Sequence, residues 1–92
     1  MTAPALKPIK DADIQRTFFI DMADATDAVM RVLEAFALGG AHLTGLELKP
    51  VGEALRLRVV AVGLDEIHAD RIRGRLAVMP IVRAVASGWR AV

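Results

Sequence analysis

Phe18, Ile20 and Met22 alternate with Thr17, Phe19 and Asp21, a period of two that predicts a strand from Arg16 to Met22. The period then changes. Ala25, Val29, Val32, Leu33 and Phe36 fall at helical spacing and predict an amphipathic helix from about Ala25 to Leu38. Gly39-Gly40 stops it, because glycine supplies the left-handed residue past a last turn. A second strand follows over 41–49. Leu43 is out of phase with Leu46 and Leu48 there, which predicts a bulge near Gly45. Residues 50–53, with Pro50 and Gly52, read as a turn, so the second strand holds no proline. In the strand over 54–62, Leu55, Leu57, Val59 and Ala61 share one face, and Arg56, Arg58, Val60 and Val62 the other. A second helix runs from Asp65 or Glu66 to about Val78, with Ala69, Ile72 and Leu76 inward. Gly74 weakens it by about 1 kcal/mol relative to alanine, and Pro80 ends it. Residues 81–89 form a last strand whose inward parity the pattern leaves open.

The element order is therefore β-α-β-β-α-β. An α+β class follows: a ferredoxin-like sandwich with a four-stranded antiparallel sheet and two helices on one face. Right-handed crossovers place the second and fourth strands at the edges. Residues 1–15 contain Pro4 and Pro8 and no sustained period, so they read as a flexible N-terminal arm before one domain over 16–92.

Composition narrows the function. There are 92 residues, enough for one modest core. The absence of cysteine rules out disulfides, iron–sulfur clusters and thiol nucleophiles. Twelve basic and eleven acidic residues give a net charge of +1, not the basic face that nucleic-acid binding needs. No apolar run approaches the roughly 20 residues of a membrane span, and the N-terminus lacks the apolar stretch of a signal peptide. A cytoplasmic chain, with neither nucleic acid nor membrane as partner, is the expectation.

Asp21, Asp24 and Asp27 look like a cluster but fall in three settings. Asp21 points to the sheet face without helices. Asp24 is the expected N-cap of the first helix. Asp27 sits in its first turn, where the helix dipole favours a negative charge, four residues before Arg31. His42 opens the second strand, across from the exit of the first, and is a candidate ligand contact in the crevice between them. His68, Arg71 and Arg75 read as a solvated helix face, with Arg71, Arg73 and Arg75 fanned apart by the helical turn. The only serine is Ser87, and no nucleophile–base pair is visible. No catalytic residue, metal site or cofactor is expected.

What remains is surface. Phe19, Val60 and Val62 lie on the sheet face without helices, and the second strand is an unguarded edge that carries His42, Thr44 and Leu46. These six residues are the expected interface of a homodimer paired through that edge, with an eight-stranded sheet as one form.

From Arg16 to about Gly88 the chain resembles an ACT domain, the small-molecule-sensing module of many enzymes of amino-acid metabolism. The resemblance rests on element order, on Val29, Val32, Leu33 and Phe36, on Gly40-Ala41-His42-Leu43, on Ile72 with Leu76, and on the run 81–85. Within that family, Arg31-Val32-Leu33 and Gly40-Ala41-His42-Leu43 are similar to the short regulatory subunit of acetohydroxyacid synthase. That resemblance implies a non-catalytic protein that binds a large thiamine-diphosphate-dependent enzyme subunit and conveys feedback by a branched-chain amino acid. It also implies ligand contacts at Ala23, Asp24, Asp27 and His42. Where many ligand-binding ACT domains carry Asp-x-Pro-Gly, this chain has Asp24-Ala25-Thr26-Asp27. Asp27 thus brings a charge to the place of an effector's carboxylate; two such charges about 4 Å apart at an effective dielectric near 20 repel by about 4 kcal/mol. A partner-binding role survives that repulsion better than the alternative, a free-standing dimeric sensor of an amino acid or other metabolite.

Overall fold

The computed structural model describes residues 14–91. Its elements are β1 (Ile14–Ala23), α1 (Thr26–Leu38), β2 (His42–Val51), β3 (Ala54–Val62), α2 (Glu66–Ala77) and β4 (Val82–Ala91). All six expected elements are present in the expected order. β1 starts at Ile14, so Ile14 and Gln15 belong to the sheet rather than to the arm; the rest of the expected arm lies outside the described residues.

The strands form one antiparallel sheet in the order β2-β3-β1-β4, with β2 and β4 at the edges. Register explains which side chains go inward. Phe18 pairs with Val59, Ile20 with Leu57 and Met22 with Leu55. All of these face the helices, where Phe18, Ile20, Met22, Leu57 and Val59 are buried. Helix α1 closes this layer with Ala28, Val32, Ala35 and Phe36, and α2 with Ala69, Ile72 and Leu76. The Phe18 and Phe36 rings meet edge to face, centroids 5.0 Å apart and planes at 80°, a geometry that suits the quadrupoles of the two rings.

The helix ends differ from the sequence expectation at one point. The N-cap of α1 is Ala25, in extended conformation, and no side chain caps it. The Ala25 carbonyl accepts from the Ala28 and Val29 N–H groups, so the helix begins one residue after the place that would make Asp24 its cap. Asp27 is in the first turn as expected, but no ion pair joins it to Arg31 among the described residues. The C-terminus is closed by backbone alone: Ala41 N–H donates to the Phe36 carbonyl and Gly40 N–H to that of Ala37. That pattern needs a left-handed residue, and Gly40 has φ +73°. Helix α2 has a true side-chain cap, Asp65 accepting from the His68 N–H at 2.7 Å.

Two bulges settle the parities that the sequence left loose. β2 pairs Leu43 with Ala61 but Gly45 with Val60, leaving Thr44 as the extra residue. Leu43, Leu46 and Leu48 thereby all face the helix side, opposite Ala61, Val59 and Leu57. β1 pairs Asp21 with Ala84 but Met22 with Val82, leaving Arg83 as the extra residue, which lets Val82 and Val85 both pack against the core. The β2–β3 turn is shorter than expected. β2 continues through Pro50, opposite Leu55, to Val51, and only Gly52 and Glu53 turn the chain, Gly52 with φ +61°. A glycine at the first of two turn residues suits the type II′ hairpin.

Close approach sets opposite expectations for two glycines. A Cβ on Gly39 would stand 2.5 Å from Cγ1 and 2.6 Å from Cδ1 of buried Ile72, whereas a Cβ on Gly74 meets nothing within 4 Å. Gly39→Ala is expected to destabilise the fold by about 1–3 kcal/mol through overpacking. Gly74→Ala should stabilise it by about 0.5–1 kcal/mol through helix propensity. Urea denaturation midpoints of the two variants, displaced in opposite directions from the parent, check both.

Candidate functional site

The residues expected to meet a ligand are not brought together within one chain. Ala23 ends β1 opposite Ala54, and Asp24 and Asp27 follow it, both exposed. His42 begins β2 opposite Val62, which pairs in turn with Gln15. His42 and Ala23 therefore lie at opposite ends of the sheet, separated by the eight steps from Gln15 to Ala23, about 27 Å at strand spacing. His42 also takes the face of Val62, away from the helices. The crevice expected between His42 and the exit of β1 does not form, because β2 runs parallel to β1 and begins where β1 begins. The β1 exit is itself tied down. Ala23 N–H donates to the Ile81 carbonyl at 2.9 Å, and the Ala23 carbonyl accepts from Ala25 N–H at 2.9 Å.

Among the described residues, the sheet face without helices carries one side-chain ion pair. Asp21 and Arg56 are cross-strand partners, and the guanidinium grips the carboxylate through Nε at 2.7 Å and Nη2 at 3.0 Å. A two-point fork of this kind fixes geometry as well as charge. The hydrogen bonds from Arg56 hold the Asp21 carboxyl below its ordinary value; the guanidinium charge acts the same way, and partial burial opposes it. The sequence placed Asp21 on this face but gave no partner for it, since Arg56 is 35 residues away and only the register joins them.

The expected interface residues divide. Phe19 is exposed and Val62 half-buried on the helix-free face, but Val60 is 7% exposed and offers little surface. Thr17 and Gly45 flank it on the two neighbouring strands, and the Thr44 hydroxyl donates to its carbonyl at 3.5 Å. On β2, no residue is buried. Leu46 is 54% exposed, Leu48 45% and Leu43 37%, all on the side where β1 and β3 are covered by the helices. Leu43 and Leu48 were not among the interface residues picked from the sequence, although Leu48 shares the parity of Leu46 and the bulge expected near Gly45 brings Leu43 to the same face.

A second cluster lies on the outer surface of the helices. Arg31 and Glu34 of α1 and Arg75 of α2 line one depression with Leu38 and Met79. Arg71, Arg75 and His68 line an adjoining one with Leu38, Gly39 and Gly40. Arg73 is turned to the other flank of α2 and bonds Asp70. Among the described residues no three His, Cys, Asp or Glu side chains converge as a metal site would need. No described helix is long and apolar enough to cross a membrane.

No protein-family model and no curated protein matches the chain. Solved structures do. The ACT domain from the GTP pyrophosphokinase of Chlorobium tepidum superposes with a TM-score of 0.70 over 80% of this chain and 96% of that one, at 8% identity. The fold is that of an ACT domain. The C-terminal domain of the MgtC protein from Mycobacterium tuberculosis shares it, with a TM-score of 0.68, 17% identity and coverage of 90% and 92%. So does the regulatory subunit of aspartate kinase from Thermus thermophilus, with a TM-score of 0.61 and 15% identity, over 87% of this chain and 52% of that one. The ACT-type fold accounts for the topology and the free β2 edge; at these identities it carries no residue role across.

The Asp21–Arg56 fork has a pH signature. The folded state lowers the Asp21 pKa, so its contribution is fully present above the unfolded carboxyl's value, near 3.9, and fades as the pH falls through the lower folded value. Asp21→Asn is expected to be less stable than the parent at pH 7. The difference should narrow as the pH falls below about 4; paired urea melts at pH 7 and pH 3 measure it.

Proposed function

We propose that this chain is a non-catalytic regulatory domain of ACT type that pairs with a second copy through β2 and, as that dimer, binds and modulates a partner enzyme. The observation that carries this reading is the state of β2. It is a ten-residue edge strand with no buried residue, and it presents Leu43, Leu46 and Leu48, all more than a third exposed, on the side where the central strands β1 and β3 are covered by the helices. Complete burial of a leucine side chain is worth about 1.5–3 kcal/mol, and a bare edge adds main-chain donors and acceptors that another strand can satisfy. Two copies joined this way would make the eight-stranded sheet and give α1 of each a neighbour.

The partner is the finer part of the proposal. The likeness of Arg31-Val32-Leu33 and Gly40-Ala41-His42-Leu43 to the short regulatory subunit of acetohydroxyacid synthase supports a large thiamine-diphosphate-dependent subunit of that enzyme, in branched-chain amino-acid biosynthesis. A solved structure of the same fold is described as the regulatory subunit of aspartate kinase, which is consistent with a regulatory use of the architecture. The rival reading, a free-standing sensor of an amino acid, needs polar groups that converge on a ligand. Asp24 and Asp27 stand at the opposite end of the sheet from His42 within one chain, so a ligand site at the dimer interface would have to draw His42 from the second copy, whereas partner binding needs no such convergence.

Two measurements test the proposal separately. Sedimentation equilibrium at micromolar concentration should give twice the mass of one chain, and Leu46→Asp, which sets a charge in the pairing face, should give the single-chain mass without loss of fold by circular dichroism. A monomeric parent overturns the dimer. Adding the protein to a purified large subunit of acetohydroxyacid synthase should raise its activity several-fold; neither binding nor activation would overturn the choice of partner while leaving the dimer standing.

A further inference from the structure

Three arginines on the outer helix surface have no partner among the described residues, although Arg75 stands in the last turn of α2, where the helix dipole favours a cation. Arg16 donates to the Leu64 carbonyl, Arg56 holds Asp21 and Arg73 bonds Asp70. Arg31, Arg71 and Arg75 make no hydrogen bond or ion pair with the described residues. They are nevertheless gathered in one place. The two depressions that they line share Leu38 and Arg75 and so adjoin on the α1–α2 surface, with volumes of about 180 and 370 Å³.

An ordinary structural task for such cations would be to answer the carbonyls at the C-terminal end of α1, which has no basic residue in its last turn. The backbone already does this. The carbonyls of Ala35, Phe36 and Ala37 accept from the N–H groups of Gly39, Ala41 and Gly40. Nor does acid in the depressions neutralise the group. Glu34 is the one carboxylate among the lining residues, against three guanidinium groups. Asp65 stands just outside and is occupied, accepting from both the backbone N–H of His68 and its Nδ1, each at 2.7 Å. That contact also fixes the ring and leaves Nε2 as its unbonded nitrogen. The buried apolar lining is Ala35 in one depression and Ile72 in the other, with Leu38, 68% exposed, shared by both.

We propose that these adjoining depressions are a binding site for a small polyanion, one carrying at least two anionic groups, with Arg71 and Arg75 bounding the larger part and Arg31 the smaller one beside it, across Leu38. Arg71 and Arg75 are four residues apart on one helix and so project side by side, and forked guanidinium groups suit the paired oxygens of phosphoryl or carboxylate groups. The part bounded by Arg71 and Arg75 lies within the range of about 300–1,000 Å³ usual for small-molecule sites. The site is separate from the β2 edge and does not depend on the proposed partner enzyme.

Inorganic pyrophosphate and citrate are the probes, one for phosphoryl and one for carboxylate oxygens, each titrated into the full chain at low ionic strength and followed by amide NMR. The expected result is saturable binding of at least one of them, with shifts centred on Leu38, Gly39, Gly40 and the Arg71–Arg75 turn. Whichever anion binds identifies the oxygen chemistry. Arg71→Gln and Arg75→Gln should each weaken binding about tenfold or more, as loss of a charged hydrogen-bonding partner does. Arg73→Gln removes the same charge from the other flank and should leave it unchanged. All three positions are exposed, so the variants are expected to keep the parent's spectrum elsewhere. Shifts that never saturate, that fall elsewhere on the chain, or that weaken equally in all three variants would mean a diffuse ion atmosphere and overturn the site.

Discussion

The edge-to-face contact of Phe18 with Phe36 anchors the whole helix layer. It ties the middle of β1 to the last turns of α1, and the buried residues of α1 and α2 are arranged around it. With α1 held over the central strands, β2 at the edge goes uncovered. The same leucine pattern that reads as core on β2 therefore ends up half in solvent. Coverage of the central strands by the two helices thus leaves the apolar side of β2 in solvent, and the proposed dimer is the simplest way to cover it.

The architecture was legible because its signals are local. Alternation in β1 and β3, helical spacing in α1, Gly39-Gly40 after it and Pro80 after α2 each speak for a few neighbouring residues, and together they leave one topology. Where the reading slipped, the deciding quantity was a register or a single dihedral. Asp24 has the chemistry of an N-cap, but Ala25 takes the extended conformation and the first helical hydrogen bonds, and a chain of mixed propensity carries no mark of that one-residue choice. Val82 and Val85 both pack inward only because Arg83 is an extra residue against β1. In a regular strand, residues three apart face opposite ways, so the parity of β4 had no solution from alternation alone.

The candidate site was less legible for a related reason. Asp21 with Arg56, and Arg31 with Arg71 and Arg75, are meetings between residues far apart in the chain. The helical turn correctly separates Arg73 from Arg71 and Arg75, but nothing local says that α1 brings Arg31 beside them. His42 illustrates the opposite error. Its place at the start of β2 was read correctly, and the neighbour assigned to it was wrong, since parallel alignment of β2 with β1 puts their starting ends together and the exit of β1 far away.

The two edges are not equivalent as pairing surfaces, and the difference bears on why association would stop at two. Past its bulge, β2 carries Glu47 and Lys49 on the same face, two residues apart, with Leu48 between them on the other. A two-fold axis through Leu48 would set each Glu47 opposite a Lys49 of the other copy and keep Leu46 and Leu48 on the helix side in both. Opposite charges facing each other across strands stabilise a pairing, and like charges oppose it. β4 has only Arg83 and Arg90 as charged residues, with no acid to answer them, and Arg83 is itself the bulged residue. Both edges carry a bulge, at Thr44 in β2 and at Arg83 in β4, and β2 also holds Pro50, so it is the unmatched charge of β4 that separates them as pairing surfaces. A second copy therefore finds a self-complementary edge at β2 and a resistant one at β4, and a pair joined at β2 presents only β4 edges to the outside.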